Sequence, residues 1–258
     1  MPALSNRTAS TLTRTRRPRS DKIIVVACEG QVTEEEYFRL IQSLLGGIKS
    51  KVIIKSINED ILSVDSSRRT FEQKSRLGQN KPWQLVKRLD EFRQEEEAVY
   101  EFSKHPDDEF WIVADIDENT ADPNKSSKLE FALDLCDKKN YHYAVSNPFF
   151  EAWLLLHHDD FNSDDYKYAV TDKHRYEKTD HFRNRLKAVG APLSNRKHIH
   201  PKHYSRGKVK KAIKRARRLF EIEISRSQHM QLRYPHNLGS TVYKLLENII
   251  NISDEKIS

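Results

Sequence analysis

The sequence has few cysteines and no long apolar segment. Among its 258 residues only Cys28 and Cys136 are cysteines, too few for a disulfide framework, so the composition favours the reducing cytoplasm. No run approaches the roughly 20 apolar residues that a membrane-spanning helix needs. No apolar signal core follows the basic N-terminus, which predicts that the protein is not secreted. Apolar residues form 37% of the chain, which is low but sufficient for the core of one large domain.

Positive charge is concentrated in two segments. The formal net charge is +7, yet residues 196–218 contain eleven basic side chains and no acidic one, and residues 1–22 contain six basic side chains and one acidic one. The remainder of the chain is therefore net acidic. Basic extensions on an acidic body suit a protein that holds phosphates with its extensions and a metal ion with its body. A solvated tail and a solvated helix face are the simpler alternative.

Apolar runs alternate with helical patterns four times. The runs are β-branched and short, as in the buried strands of parallel sheets, and they lie at 22–28, 51–57, 109–117 and 141–146. One helix is expected to end before Gly46, and others are predicted at 82–104, 127–138 and 147–158. This alternation predicts an α/β fold, with a parallel sheet of about four strands flanked by helices. We expect a flexible basic arm at 1–21, an α/β core at 22–160 and a mostly helical, basic C-terminal region at 161–258, packed on the core.

The first strand is followed directly by a glutamate and a glycine. Ligands of parallel α/β sheets bind beyond the carboxyl ends of the strands, and Glu29 lies at such an end. Gly30 permits a sharp turn or a close approach of the backbone to a phosphate. We predict that Glu29 is catalytic and that Gly30 lies near a phosphate.

The other nearby glutamates have structural explanations. Thr33 and Glu36 have the spacing of a capping box at the start of a helix. Glu34 and Glu35 fall in the first turn, where negative charge is favoured by the helix dipole. These three glutamates are therefore expected to start the helix rather than to take part in chemistry.

Two further motifs supply carboxylates. The sequence IVADIDEN places Asp115 and Asp117 where the third strand ends, and an extended backbone would direct both to one side. Oxygen ligands of this kind suit Mg²⁺ or Mn²⁺, although aspartates also cap turns. In SNPFFEAWLLLHH, Glu151 is predicted either to be a third metal ligand or to complement the dipole of a short helix.

The basic segment contains a helical pattern with apolar residues on one face. Val209, Ile213, Ala216 and Phe220 would pack, which leaves a basic face that could follow a nucleic-acid backbone. The residues assigned to that face are Arg206, Lys208, Lys211, Lys214, Arg215 and Arg218. Three nearby histidines suggest zinc only weakly, because no cysteine or acid completes a tetrahedral set. Tyr204 is a candidate for stacking on bases.

The order VVACEGQVTEEEYF, IVADIDEN, SNPFFEAWLLLHH and NLGSTVYKLLENI resembles the RloB family over about residues 15–250. That family is encoded in bacterial restriction-modification and abortive-infection loci and is considered related to the Toprim fold. The resemblance implies that Glu29 acts as general acid/base and that Asp115 and Asp117 bind Mg²⁺. It also implies a role in phage defence and an ATPase partner of the AAA/ABC type.

Together these observations predict a Mg²⁺- or Mn²⁺-dependent nuclease that acts on DNA or RNA, tRNA included. One alternative is a non-catalytic subunit that binds nucleic acid or a signal within an ATPase-containing defence complex. Another is a metal-dependent enzyme that acts on a small nucleotide.

Overall fold

A computed structural model describes most of the chain. The described residues are 22–30, 32–45, 52–56, 68, 70, 81–116, 123–170, 175–195, 197–227 and 232–254. The predicted arm at 1–21 and the predicted metal ligand Asp117 therefore lie outside the described residues.

The central feature is a β-sheet of five strands. In chain order they are β1 (Lys22–Cys28), β2 (Val52–Ser56), β3 (Glu109–Asp115), β4 (His142–Asn147) and β5 (Gly239–Ser240). They lie in the order β2-β1-β3-β4-β5. The first four are parallel, whereas β5 is antiparallel to β4. The predicted α/β class and the four parallel strands are confirmed; the relation to the Toprim fold stays a prediction.

Nine α-helices lie within the described residues. They are α1 (Thr33–Leu45), α2 (Pro82–Glu95), α3 (Glu97–Tyr100), α4 (Pro123–Lys139), α5 (Phe150–Leu155), α6 (Ser163–Val170), α7 (Arg175–Ala188), α8 (Arg206–Arg226) and α9 (Val242–Asp254). Short 3₁₀ turns occur at Phe102–Lys104 and Pro201–His203. Each helix of α1, α2, α4 and α8 buries one face, as its apolar spacing predicts.

Two predicted helices differ in the structure. The single helix predicted at 82–104 is interrupted at Glu96, and α3 ends at Tyr100, before Glu101, which adopts a left-handed conformation with φ of 53°. The helix predicted from residue 147 begins only at Phe150, and no side chain caps it. The Asn147 side chain lies before this helix and donates hydrogen bonds to the Pro235 and His236 carbonyls.

Apolar side chains cover both faces of the sheet. On β1, Ile24, Val26 and Cys28 belong to one buried cluster, with residues of α1, α5, α8 and α9. The alternate residues of β1 belong to a second cluster, with residues of α2 and α4. Burial on both faces explains why the strand is apolar throughout instead of alternating.

The C-terminal region completes this sheet. Ser240 pairs with Ser146, and the Thr241 amide donates a hydrogen bond to the Val145 carbonyl at 2.9 Å. Arg233 donates to three carboxylates of α4 at 2.8–2.9 Å, which ties the segment before β5 to the opposite layer. Among the helices that the structure describes, none combines the length and the apolar character needed to cross a membrane.

Candidate active site

Two predicted site residues meet at the carboxyl ends of adjacent strands. The Glu29 amide donates to the Val113 carbonyl at 2.9 Å, so the backbone stays paired with β3 after β1 ends. The Asp115 amide in turn donates to Glu29 Oε2 at 3.2 Å. The pairing of β1 with β3 thus places the Glu29 side chain against the end of β3, as the sequence predicts for a ligand site.

Glu34 also belongs to this carboxylate group. Its side chain is only 7% exposed, and its carboxyl group lies where a Cβ atom of residue 30 would be. Burial, and then the charge of Glu151, raises the pKa of Glu34 from 4.5 to about 8. Glu34 lies in the first turn of α1 as predicted, but a role at the helix dipole does not account for its burial among other acids.

Glu151 enters the group from α5. It is 8% exposed, and its Oε1 accepts from Nε and Nη2 of Arg183, each at 3.1 Å. Arg183 comes from α7 and was not predicted, because nothing in the local sequence links positions 151 and 183. This ion pair stabilises the Glu151 carboxylate and fixes its orientation.

Burial and repulsion among the acids both act on the pKa of Asp115. Burial raises the pKa of Asp115 well above its usual value, and the charges of Glu34, Glu29 and Glu151 raise it further. A hydrogen bond from the Phe150 amide opposes this shift only in part. The four acids from β1, α1, β3 and α5 thus form one electrostatic unit, which we call the carboxylate cluster (Glu29, Glu34, Asp115, Glu151).

A thiol and a further acid lie beneath the carboxylate cluster. Cys28 is fully buried, and burial followed by the charges of Glu35 and Glu34 raises the pKa of its thiol. Glu35 itself is 1% exposed. The thiol therefore stays protonated at neutral pH and is a poor nucleophile.

The predicted capping box is wrong. Thr33 is the first residue of α1 rather than its cap, the Glu36 amide donates to the Val32 carbonyl, and Thr33 Oγ1 donates to the Lys197 carbonyl at 2.7 Å. The Glu36 carboxylate accepts from the Ile199 amide at 2.9 Å and lies 2.6 Å from His198 Nδ1. Both side chains instead fasten a distant loop across the start of α1.

The donor chemistry suits a hard divalent cation. Carboxylate oxygens are the ligands that Mg²⁺ and Mn²⁺ prefer, and a cation would relieve the repulsion within the carboxylate cluster. Within the described ranges, however, no three His, Cys, Asp or Glu side chains are arranged so that they could hold a metal ion. The predicted ligand Asp117 is not among those residues.

The two histidines in the turn after α5, His157 and His158, have different burial and partners. His157 is 1% exposed; its Nδ1 donates to the Trp153 carbonyl at 3.1 Å, so its Nε2 accepts from the Tyr37 hydroxyl at 3.0 Å. Burial lowers the pKa of His157 to about 3, which keeps the ring neutral. Tyr204 packs edge-on against His157 and is 2% exposed, so the predicted stacking of Tyr204 on bases is wrong.

Some basic side chains of α8 form ion pairs and hydrogen bonds within the protein. Its predicted apolar face is buried. Of the residues assigned to nucleic acid, Lys211 and Lys214 are exposed, whereas Lys208 is partly buried. Arg218 Nη2 donates to Asp160 Oδ1 at 2.6 Å, and Arg215 lies 3.5 Å from the other oxygen of Asp160. Arg206 begins the helix.

The chain is thus an α/β protein in which β1 and β3 end at a cluster of buried and half-buried acids. It matches the family model described as RloB-like protein over residues 24–249, which is nearly all of its 258 residues. The chain therefore belongs to the RloB-like family, and the family prediction is confirmed. Comparisons with curated proteins and with solved structures found no match.

Proposed function

We propose that this protein is a metal-dependent phosphodiesterase that hydrolyses nucleic acid. The observation that carries the proposal is the carboxylate cluster, in which Glu29 accepts from the Asp115 amide and the Glu34 carboxyl group fills the space beside Gly30. Burial, and then the charges of the neighbouring acids, raise the pKa values of Glu34 and Asp115. Gathering buried acids is costly for a purely structural purpose. A divalent cation and a phosphate are the ligands that would offset this cost at the carboxyl edge of a parallel sheet.

The metal ion would be Mg²⁺ or Mn²⁺, held by Asp115, Asp117 and Glu151, which leaves Glu29 as the group that transfers protons. When bound, such an ion polarises the phosphate and lowers the pKa of water. Glu29 would accept a proton from the attacking water while the phosphorus–oxygen bond to the leaving group breaks. Arg183 would hold the Glu151 side chain in its orientation through their ion pair.

The remaining parts of the proposal concern partners. The exposed lysines of α8 favour a polyanionic substrate, DNA or RNA. The RloB-like family membership supports a role in phage defence with an ATPase partner, which co-purification from cells that express the neighbouring genes would test.

The proposal is tested by incubating the purified protein with plasmid DNA, tRNA and cyclic oligonucleotides, with and without Mn²⁺. We expect Mn²⁺-dependent cleavage of a polymer. Glu29→Gln should lower the rate by ~10²–10⁴-fold, because it removes a proton-transfer group. Glu91→Gln on α2, which removes an exposed i,i+4 ion pair, is the control and should not change the rate.

Two outcomes would contradict this function. Binding of a polymer without cleavage would favour the non-catalytic subunit, and cleavage of cyclic oligonucleotides alone would favour an enzyme of small nucleotides.

A further inference from the structure

A cavity, which we call the α7 groove, opens along one face of α7. Its volume is about 370 Å³. Four of its residues belong to α7, at the spacing i, i+3, i+4 and i+7 that places side chains on one face of a helix, and two belong to the segment that follows. They are Asp180, Arg183, Asn184, Lys187, Pro192 and Leu193. Three of them, Asn184, Lys187 and Pro192, are exposed, so the groove is open to solvent.

The groove exists because the chain turns back at the end of α7. Gly190 adopts a left-handed conformation with φ of 75°, which suits a glycine just after the last turn of a helix. The Ala191 amide then donates to the Leu186 carbonyl at 2.8 Å, and Leu193 packs against the buried cluster below. These contacts hold Pro192 and Leu193 beside the last turns of α7, where they form an apolar wall.

Arg183 joins the groove to the carboxylate cluster. Its Nε and Nη2 donate to Glu151 Oε1, each at 3.1 Å. Its third nitrogen, Nη1, lies 3.9 Å from Asp180 Oδ1, which is too long for a hydrogen bond. Since the guanidinium group has five N–H donors in one plane, it can bind a carboxylate on one edge and a phosphate on another.

The charges of the groove are unevenly distributed along α7. Lys187 lies one turn beyond Arg183, so the two cations are neighbours on the helix face. Asp180, the one acid of the groove, is two turns and roughly 10 Å away from Lys187 along the helix axis. The groove therefore attracts an anion at its Arg183–Lys187 end and repels one at its Asp180 end.

We propose that the α7 groove binds one nucleotide of a single-stranded substrate, next to the phosphate that the carboxylate cluster would cleave. The phosphate of this nucleotide would accept from Arg183 Nη1 and Lys187 Nζ, and its base would pack on Pro192 and Leu193. The inference rests on the proposed function, because it places the substrate strand of that reaction.

The size and the apolar wall of the groove favour an unpaired strand. A volume of about 370 Å³ is at the lower end of the range for pockets that hold a small ligand, which suits one nucleotide rather than a duplex. The face of a base inside a duplex is covered by its stacked neighbours. A base reaches an apolar wall only when it has left the stack or belongs to a single strand.

The test is fluorescence anisotropy of the full-length protein, without added metal and at constant salt. The probe is a short labelled oligonucleotide, either single-stranded or annealed to its complement. We expect the wild type to bind the single strand more tightly than the duplex. Lys187→Gln should weaken single-strand binding by about fivefold, the effect of one exposed ion pair. Asp180→Asn should strengthen it by a similar factor, because it removes the acid that competes for Arg183 Nη1.

Two control variants change the same charges on the other side of the sheet. Lys138→Gln on α4 and Glu91→Gln on α2 lie on helices that cover the opposite face from α7. Neither should change the affinity for the single strand. Circular dichroism checks that every variant is folded, and a gain of affinity in Asp180→Asn is a result that partial unfolding would not produce.

Three outcomes would overturn the groove: no binding of the single strand by the wild type, equal binding of strand and duplex, or equal effects of Lys187→Gln and Lys138→Gln. Because the assay requires neither metal nor cleavage, it separates the two proposals. Binding that depends on Lys187 and Asp180, in a protein that cleaves no polymer, would keep the groove and reject the nuclease. Cleavage by a protein whose affinity is unchanged in both variants would keep the nuclease and reject the groove.

Discussion

The Glu34 carboxyl group occupies the space in which a side chain at residue 30 would begin. Gly30 therefore serves the carboxylate cluster by leaving room for a buried acid, in addition to any approach to phosphate. The sequence shows Glu34 only as one of three acids in a first turn, where a helix dipole is sufficient explanation. Its electrostatic interaction with the distant Glu151 depends on the tertiary structure, and this is why Glu34 was not predicted as a site residue.

Glu34 should make stability depend on pH. Between its ordinary pKa of 4.5 and about 8, the folded protein keeps the proton that the unfolded chain releases. The free energy of unfolding should therefore fall as pH rises through this window, by up to about 1.4 kcal/mol per pH unit. Urea denaturation at pH 5 to 8 measures this slope, which Glu34→Gln should flatten. Parallel slopes for variant and wild type would contradict the assignment.

Tyr37 and Tyr204, whose rings are in contact, differ in whether the hydroxyl has a hydrogen-bond partner. The Tyr204 hydroxyl is buried without a hydrogen-bond partner among the described residues, whereas the Tyr37 hydroxyl donates to His157. Tyr204→Phe should raise the free energy of unfolding by about 1 kcal/mol, and Tyr37→Phe should lower it by about 0.5–1.5 kcal/mol. Denaturant melts of both variants check this; a loss of stability in Tyr204→Phe would show that its hydroxyl is satisfied.

At the scale of elements, local patterns predicted the strands and their ends. Glu29 and Asp115 could be found because an apolar run that stops at an acid marks the edge of a parallel sheet. The Thr33–Glu36 capping box failed because tertiary contacts with residues 197–199 replaced a local motif. Arg183 could not be predicted either, since its partner Glu151 lies in a different helix and no spacing rule joins them.

The exposed part of α8 should contribute to nucleic-acid binding through charge. Replacing Lys211 and Lys214 with Gln should weaken nucleic-acid binding. The logarithm of the affinity should also fall less steeply with the logarithm of the salt concentration, by about two in the slope, because two phosphate contacts are lost. Fluorescence anisotropy over a range of salt concentrations measures this slope.

The control for this experiment lies on the opposite layer. Lys87 and Lys138 are exposed residues of α2 and α4, whose apolar faces cover the other side of the sheet. Replacing both with Gln removes the same charge and should leave the slope unchanged. Equal effects of the two double variants would indicate a general effect of net charge.

On the scale of the whole molecule, the carboxylate cluster should link folding to metal. Metal at 100 times its dissociation constant would stabilise the folded protein by about 2.7 kcal/mol. Converting Asp115 and Asp117 to Asn removes both ligands and repulsion. The melting temperature of that variant should equal or exceed that of the metal-free wild type. Mg²⁺ or Mn²⁺ should not change it. Thermal melts of both proteins test this, and a wild-type shift in the variant would locate the ion elsewhere.

The antiparallel pairing of β5 with β4 has a consequence for translation. When Asn147 has left the ribosome, its partner Gly239 has yet to be synthesised, and at about 5–20 residues per second that takes several seconds or more. During this interval the edge of β4 is an open template for another chain. A chain that terminates before Gly239 would never form β5, so the edge of β4 would stay unpaired. Premature termination should therefore yield aggregates rather than a partly active fragment.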